Sequence, residues 1–268
     1  MAISRQVDFE PDGWREFAQP PAEWWGYAER VRRMGPLAYW RLADAAGEPA
    51  TDEMGTLDGS YGGATDHTAA GPLYRDPQNA AGFLGDNASI SVPSTDLLNG
   101  VSACTILFWM RYSPSAVNQD GHILSRWPSS SVGGWMVWAD ASAYQSGRSR
   151  TVSFAADIFV GQDVRVEGSA DLVVPGVWSF YACTFQGGDA LRIYKDGVLD
   201  REASTSAPVM TTTSNPTWIG RSAAAASNKS FRGDLAELAV FDRALSAQDI
   251  ESLHGVGRGQ LRLADTGG

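Results

Sequence analysis

In 268 residues the chain has only two cysteines, three histidines and two lysines, and each shortage excludes a chemistry. No Cys or His spacing resembles a zinc site. Cys104 and Cys183 lie in strand-like runs. They bridge if those strands are neighbours with the right geometry, and otherwise are two small buried hydrophobes. His67, His122 and His254 accompany no G-x-S-x-G, so there is no sign of a nucleophile triad. His254 sits at a helix end, where its charge suits the dipole, and the other two read as loop residues. Lysine scarcity goes with a net charge of −10 and a sequence pI near 4.7. That excludes the basic face needed for nucleic acid or an anionic membrane, and leaves room for a cation. No apolar run approaches the ~20 residues of a membrane span. The opening "MAISRQVDFEPDG" has no apolar h-region and carries early acids, so no signal peptide is expected.

What is plentiful is turn chemistry and aromatic mass: 29 glycines, 13 prolines and ten tryptophans. Residues 1–20 show no period and read as an extended arm ending at Pro20-Pro21. "PAEWWGYAERVRRMGP" then reads as a helix. Pro21 suits the first helical position, and Gly35-Pro36 ends the run. Trp24, Tyr27, Ala28, Val31 and Met34 recur at helical spacing. That face either packs on the domain behind it or anchors the chain to a partner subunit. In the second case 1–35 is a docking element with Trp24, Tyr27 and Val31 as its contact residues.

From Pro36 the pattern changes to short β runs between turns. "ACTILFWMRYS" puts Cys104, Ile106, Phe108 and Met110 on one face. "LRIYKDGVLDRE" is a hairpin by its Asp196-Gly197 turn, because that dipeptide accepts positive φ. One more helix follows Ser246, capped by Ser246 and Asp249 and ended by Gly255. The expected fold is all-β: an antiparallel jelly-roll β-sandwich over 36–255, with an N-terminal arm and helix, one short C-terminal helix and a tail at 256–268.

The order of motifs adds a resemblance. "AYWRLADAAG", "AAGFLGDNASISVP", "CTILFWMRY", "GVWSFYACTFQGG", "LRIYKDGVLD", "TWIGRS" and "FRGDLAELAVFDRALSAQDI" follow one another as in the laminin-G-like jelly-roll domains of the concanavalin A-like lectin and glucanase superfamily. The resemblance implies the fold and leaves activity open, because this fold hosts lectins, adhesion modules and hydrolases. Two departures stand out. The family's closing aspartate falls on Ala236, and the aspartate before glycine falls on Gln186.

Glycosidases usually need two carboxylates flanking the scissile bond, and in this superfamily the resemblance implies an E-x-D-x-E strand. The chain has none. Asp234 and Glu237 are an odd number apart, so a regular strand turns them to opposite faces. Glu237 then shares a face with Leu235, Ala239 and Phe241, and needs a partner such as Arg243 or backbone donors. Loop acids could instead hold calcium, which takes carboxylates and carbonyls. Asp44, Asp52 and Asp234 are the candidates, with Glu48 and Asp58 nearby, if first and last strands adjoin. The competing reading is solvated loop acids and turn formers. Trp127 in "SRWPSSSVGGW" and Tyr144 in "ADASAYQSG" are the candidates for stacking on sugar rings; burial under a loop is the alternative.

The expected function is a non-catalytic binding or display module. A lectin-like sandwich, no signal peptide and an arm outside the sandwich fit a surface subunit of a phage or phage-like virion. Such a subunit assembles in the host cytoplasm and joins capsid or tail proteins through its arm as part of an oligomeric assembly. Host-surface glycan is the expected external contact. The alternatives are a soluble carbohydrate-binding adhesion module and a glycoside hydrolase or polysaccharide lyase.

Overall fold

The computed structural model describes residues 26–74, 76, 78–85, 87–93, 96–115, 120–127, 133–140, 150–159, 162–222 and 230–259. Two antiparallel sheets face each other. The first runs in the order β13 (Val198–Ser204), β12 (Ala190–Lys195), β11 (Trp178–Gln186), β6 (Ala103–Tyr112), β15 (Gly233–Phe241), β4 (Asn79–Phe83) and β3 (Thr65–Ala70). Short β1 (Ala38–Trp40) pairs with the far half of β15. The second runs β10 (Gln162–Glu167), β9 (Val152–Phe159), β8 (Met136–Asp140), β7 (Asp120–Ser125), β14 (Thr217–Ile219), β5 (Ser89–Val92) and β2 (Ser60–Gly62). The fold is the expected jelly-roll sandwich.

Alternation along β6 builds two cores. Cys104, Ile106, Phe108 and Met110 point between the sheets, as their spacing implies. Leu107 and Trp109 point outward into a second buried cluster, on the back of the first sheet. Both cysteines face the inner core and are free. Register explains why: Cys104 opposes Phe185 and Cys183 opposes Ile106, so the two sit diagonally on β6 and β11 rather than across from each other. Burial raises both thiol pKa values well above the ordinary value.

The two helices cover that back face. α2 (Ala247–Gly257) starts at Ser246, whose side chain and that of Asp249 bond each other's backbone in a capping box. It runs two residues past Gly255, the expected stop, and buries Ile250 and Leu253. The described part of the first helix is α1 (Tyr27–Arg33), closed by Gly35 at φ 65°. It buries Tyr27, Ala28 and Val31 against the same cluster, with the Tyr27 ring edge-on to Trp109 at 6.3 Å.

This corrects the docking assignment. Tyr27 and Val31 are 3% and 0% exposed, so their apolar area is already spent on the chain's own sheet and cannot serve a partner. The physical reason is local. The outward residues Leu107, Trp109, Phe180 and Phe241 form an apolar surface that needs a cover, and α1 is the nearest amphipathic helix. Trp24 lies outside the described residues.

The Asp196-Gly197 hairpin forms as expected, with φ of 49° and 84°. Its strand β13 ends the first sheet and carries two acids and an arginine, Asp200, Arg201 and Glu202, which blunt a free edge.

Candidate functional site

Three strands of the first sheet place a row of side chains at one end of the sandwich. Trp178 on β11 opposes Arg111 on β6, and Arg111 opposes Asp234 on β15. Arg111 donates from Nε to Asp234 Oδ2 at 2.6 Å. Its guanidinium also lies 5.2 Å over the Trp178 ring. Trp178 is itself tied down, its Nε1 donating to the Ala70 carbonyl at 3.2 Å. The arginine is therefore held on two sides before any ligand arrives, which lowers the entropy cost of using it.

Continuing across the sheet, Asp234 opposes Gly82 on β4, and Gly82 opposes Asp66 on β3. A Cβ at Gly82 would meet Asp66 Cβ at 3.0 Å and Asp234 Oδ1 at 3.1 Å. The glycine is what lets the two acids lie beside each other. Asp66 accepts from the Thr68 hydroxyl and backbone, which hold its carboxyl below the ordinary range.

Beside this row opens a cleft of about 450 Å³. Arg111 and Asp234 form part of its wall, together with Arg232, Ser113, Ser115 and the exposed Leu84. The two serine hydroxyls are 2.9 Å apart.

The candidate calcium ligands do not converge here. Asp52 is 2% exposed and accepts from the backbone N–H groups of Tyr39, Met54, Thr56 and Leu57 at 2.8–3.1 Å. Its carboxylate folds the loop around itself. Asp44 accepts from Thr51 N and from the Tyr61 hydroxyl. The first and last strands do adjoin. But Asp52 bridges Trp40, which pairs with Leu238, four residues along β15 from Asp234. Among the described residues no group of three His, Cys, Asp or Glu could hold a metal.

Glu237 also departs from expectation. β15 carries a bulge between Ala236 and Ala239, with Glu237 at φ 55°. The extra residue breaks the two-residue period. Leu235 and Leu238 face the inner core, while Ala236, Ala239 and Phe241 face the back. Glu237 therefore bonds the Tyr39 hydroxyl and Arg41 on the back face, not Arg243. The bulge brings Asp234 and Glu237 to one side of the sheet after all. Each is ion-paired, Asp234 with Arg111 and Glu237 with Arg41. Burial raises the Glu237 pKa, and Arg41 opposes that rise.

Trp127 is half-buried, packs on Met136, Trp138 and Ala155, and stacks on His122 at 6.0 Å. Tyr144 lies outside the described residues. The histidines have packing roles, and His67 and His122 lie in strands β3 and β7 rather than in the loops expected, because cross-strand pairing takes them into the two sheets. His67 Nδ1 is 2.9 Å from the Asp44 carbonyl, and His254 packs on Trp109 and Phe180. Of the site residues expected from the sequence and described in the structure, Asp234 reaches the cleft and Asp44, Asp52 and Trp127 do not line it. Sequence reasoning misses Arg111, Arg232 and Trp178, because cross-strand register is not written in local spacing.

Residues 84–251 match the family model described as the concanavalin A-like lectin/glucanases superfamily. A comparison with curated proteins returns no match. Among solved structures, domain 4 of AbnA, a GH43 extracellular arabinanase from Geobacillus stearothermophilus in complex with arabinotriose, is 15% identical with a TM-score of 0.59. The alignment covers 81% of this chain and 97% of that one. A botulinum neurotoxin type C structure, described with cell entry dependent upon two ganglioside molecules, is 13% identical with a TM-score of 0.60, over 85% of this chain and 52% of that one. The botulinum neurotoxin DC binding domain in complex with rat synaptotagmin II is 14% identical with a TM-score of 0.59, over 85% and 52%. The chain thus spans about half the length of the neurotoxin chains, and at these identities the likeness is one of fold.

Proposed function

Because the chain belongs to the concanavalin A-like lectin/glucanase superfamily, we propose that it is a non-catalytic binding module that contacts glycan through the cleft beside Arg111 and Asp234. The observation that carries this reading is the pre-held Arg111, gripped by Asp234 and Trp178 at the wall of a cleft of about 450 Å³. Charged groups fixed at a cleft wall, beside hydroxyls and an exposed leucine, suit a ligand that is polar on its edges and apolar on its faces, as sugars are. The arabinotriose and ganglioside named with two of the structural neighbours are consistent with it. The acids argue for binding over turnover. Asp234 and Glu237 are each neutralised by an arginine, whereas a glycosidase needs one carboxyl group kept protonated and a second free to act.

The test is a glycan array probed with the full chain and with Asp234→Asn and Arg111→Gln. Binding to a defined glycan, lost in both variants and without release of sugar fragments, is the expected result. Fragments released by the wild-type chain would overturn it.

The finer reading is display on a phage or phage-like virion, assembled in the host cytoplasm. With α1 sealed onto the sandwich, the docking role passes to residues 1–25, which carry Trp14, Trp24 and Trp25 ahead of the domain. A chain lacking 1–25 should melt like the full chain but fail to join particles when co-expressed with capsid and tail genes from its own locus. Normal incorporation would refute it.

A further inference from the structure

Building on the glycan reading, we infer that the cleft selects uncharged glycans and reads them through two adjacent hydroxyls, one set against Arg111 and one against Asp234. The first argument is charge. Arg111 and Asp234 neutralise each other across 2.6 Å, and Arg232 already has a partner of its own. Asp66 adds a second acid. The two acids close on one point over Gly82, where a Cβ would meet Asp66 Cβ at 3.0 Å and Asp234 Oδ1 at 3.1 Å. Bonds from Thr68 keep Asp66 ionised, and among the described residues no cation pairs with it. The row therefore leans negative on a chain that carries −10 overall, and a carboxylate on the ligand is repelled there.

The second argument is hydrogen-bond geometry. Arg111 spends its Nε on Asp234 Oδ2 and one face on Trp178, so its terminal nitrogens remain as donors. Asp234 Oδ1 remains as an acceptor. The two side chains are 33% and 17% exposed, so both stay within reach of a ligand. Two open positions of opposite polarity thus adjoin, one that only donates and one that only accepts. A carboxylate satisfies the first alone, and an ammonium the second alone. A hydroxyl both donates and accepts, so neighbouring hydroxyls on one sugar ring satisfy the two together. The hydroxyls of Ser113 and Ser115 extend the same kind of contact, and the exposed Leu84 offers an apolar lip for a ring face.

The experiment uses the full chain on a panel of neutral oligosaccharides. Each is printed beside a partner whose primary hydroxyl is oxidised to a carboxyl group, and beside its singly deoxygenated partners. At least one neutral glycan should bind, and its oxidised partner should bind about tenfold or more weakly. Loss of either hydroxyl of one adjacent pair should cost a similar factor, as loss of a hydrogen bond to a charged group implies. Asp234→Asn removes the acid that balances Arg111, so the ratio of oxidised to neutral binding should rise. Asp66→Asn should move that ratio the same way, and it tests the charge argument even where Asp234→Asn folds poorly. Equal or tighter binding of the oxidised partner by the wild-type chain, or an unchanged ratio in Asp66→Asn, would overturn the charge preference while the glycan reading stands. Tolerance of every single deoxygenation would overturn the hydroxyl pair in the same way. Binding to no glycan, neutral or oxidised, would overturn the glycan reading itself.

Discussion

Glu237 and Arg41 form a buried ion pair on the back of the first sheet, with Oε1 2.8 Å from Nη2. The Tyr39 hydroxyl donates to the other carboxylate oxygen, and Arg41 also reaches Asp76 at 2.6 Å. An acid placed in an apolar strand by the sequence is thus a structural anchor between β1 and β15.

Glu237→Ala should therefore cost stability rather than binding. Removing Glu237 takes the acceptor from Tyr39 and leaves Arg41 with Asp76 alone, and losses of up to about 3–5 kcal/mol are usual for a broken buried pair. Glu237→Gln, which keeps the hydrogen-bonding shape, should cost less. Denaturant unfolding measures both, and an unchanged midpoint in Glu237→Ala would contradict the assignment.

Glu237 also sets a pH dependence. Burial raises its folded-state pKa above the ordinary 4.5. The folded chain then holds the proton more tightly than the unfolded chain. Its contribution is most favourable below 4.5 and is lost as pH rises through the raised value. Glu237→Gln should remove that slope, seen as a flatter melting profile above pH 4.5.

His254 has the opposite sign. Burial against Trp109 and Phe180 lowers its pKa below 6.5, with Arg258 adding to the effect and Asp196 at 3.7 Å opposing it. The unfolded chain takes up this proton first. Stability from the neutral ring is complete above 6.5 and is lost as pH falls through the lowered folded value. A His254→Gln chain should lose less stability than wild type as pH falls from 6.5 through the lowered folded value; parallel melting curves would count against it.

Gly82 is the steric test of the row. A Cβ there would press on Asp66 and on Asp234 Oδ1. Gly82→Val should displace Asp234 and weaken ligand binding by about tenfold, at an overpacking cost of about 1–3 kcal/mol. Isothermal titration beside thermal melting separates the two effects. Full affinity in a folded Gly82→Val chain would remove Asp234 from the site.

Deleting 26–35 should differ sharply from deleting 1–25 alone. The first uncovers Trp109, Tyr39 and Phe241 and should yield a chain that binds hydrophobic dye or aggregates. The second should leave the melting temperature within a few degrees. Equal behaviour would mean that α1 contributes little to the domain.

Much of the fold is legible in the sequence because it follows from local rules. The two-residue period of 104–110 places four side chains in the core, Asp196-Gly197 makes its turn, and Ser246 with Asp249 caps α2. The partners of Glu237 are not legible, because they depend on one inserted residue, and a bulge leaves no pattern in composition. Asp44, Asp52 and Asp234 do not group together among the described residues for a related reason. Adjoining strands do not bring together acids that sit at different heights along them.

A β-sandwich with a capped closing helix follows from the residue order alone, since period, turn chemistry and capping act over a few residues. Which charges meet is set by the packing of strands far apart in the chain. Arg111 reaches Asp234 because strands 123 residues apart lie side by side in one register. Glu237 reaches Arg41 because a bulge turns it to the back face. Hydrogen-bonded pairing between distant strands sets those distances, and no local signal encodes it.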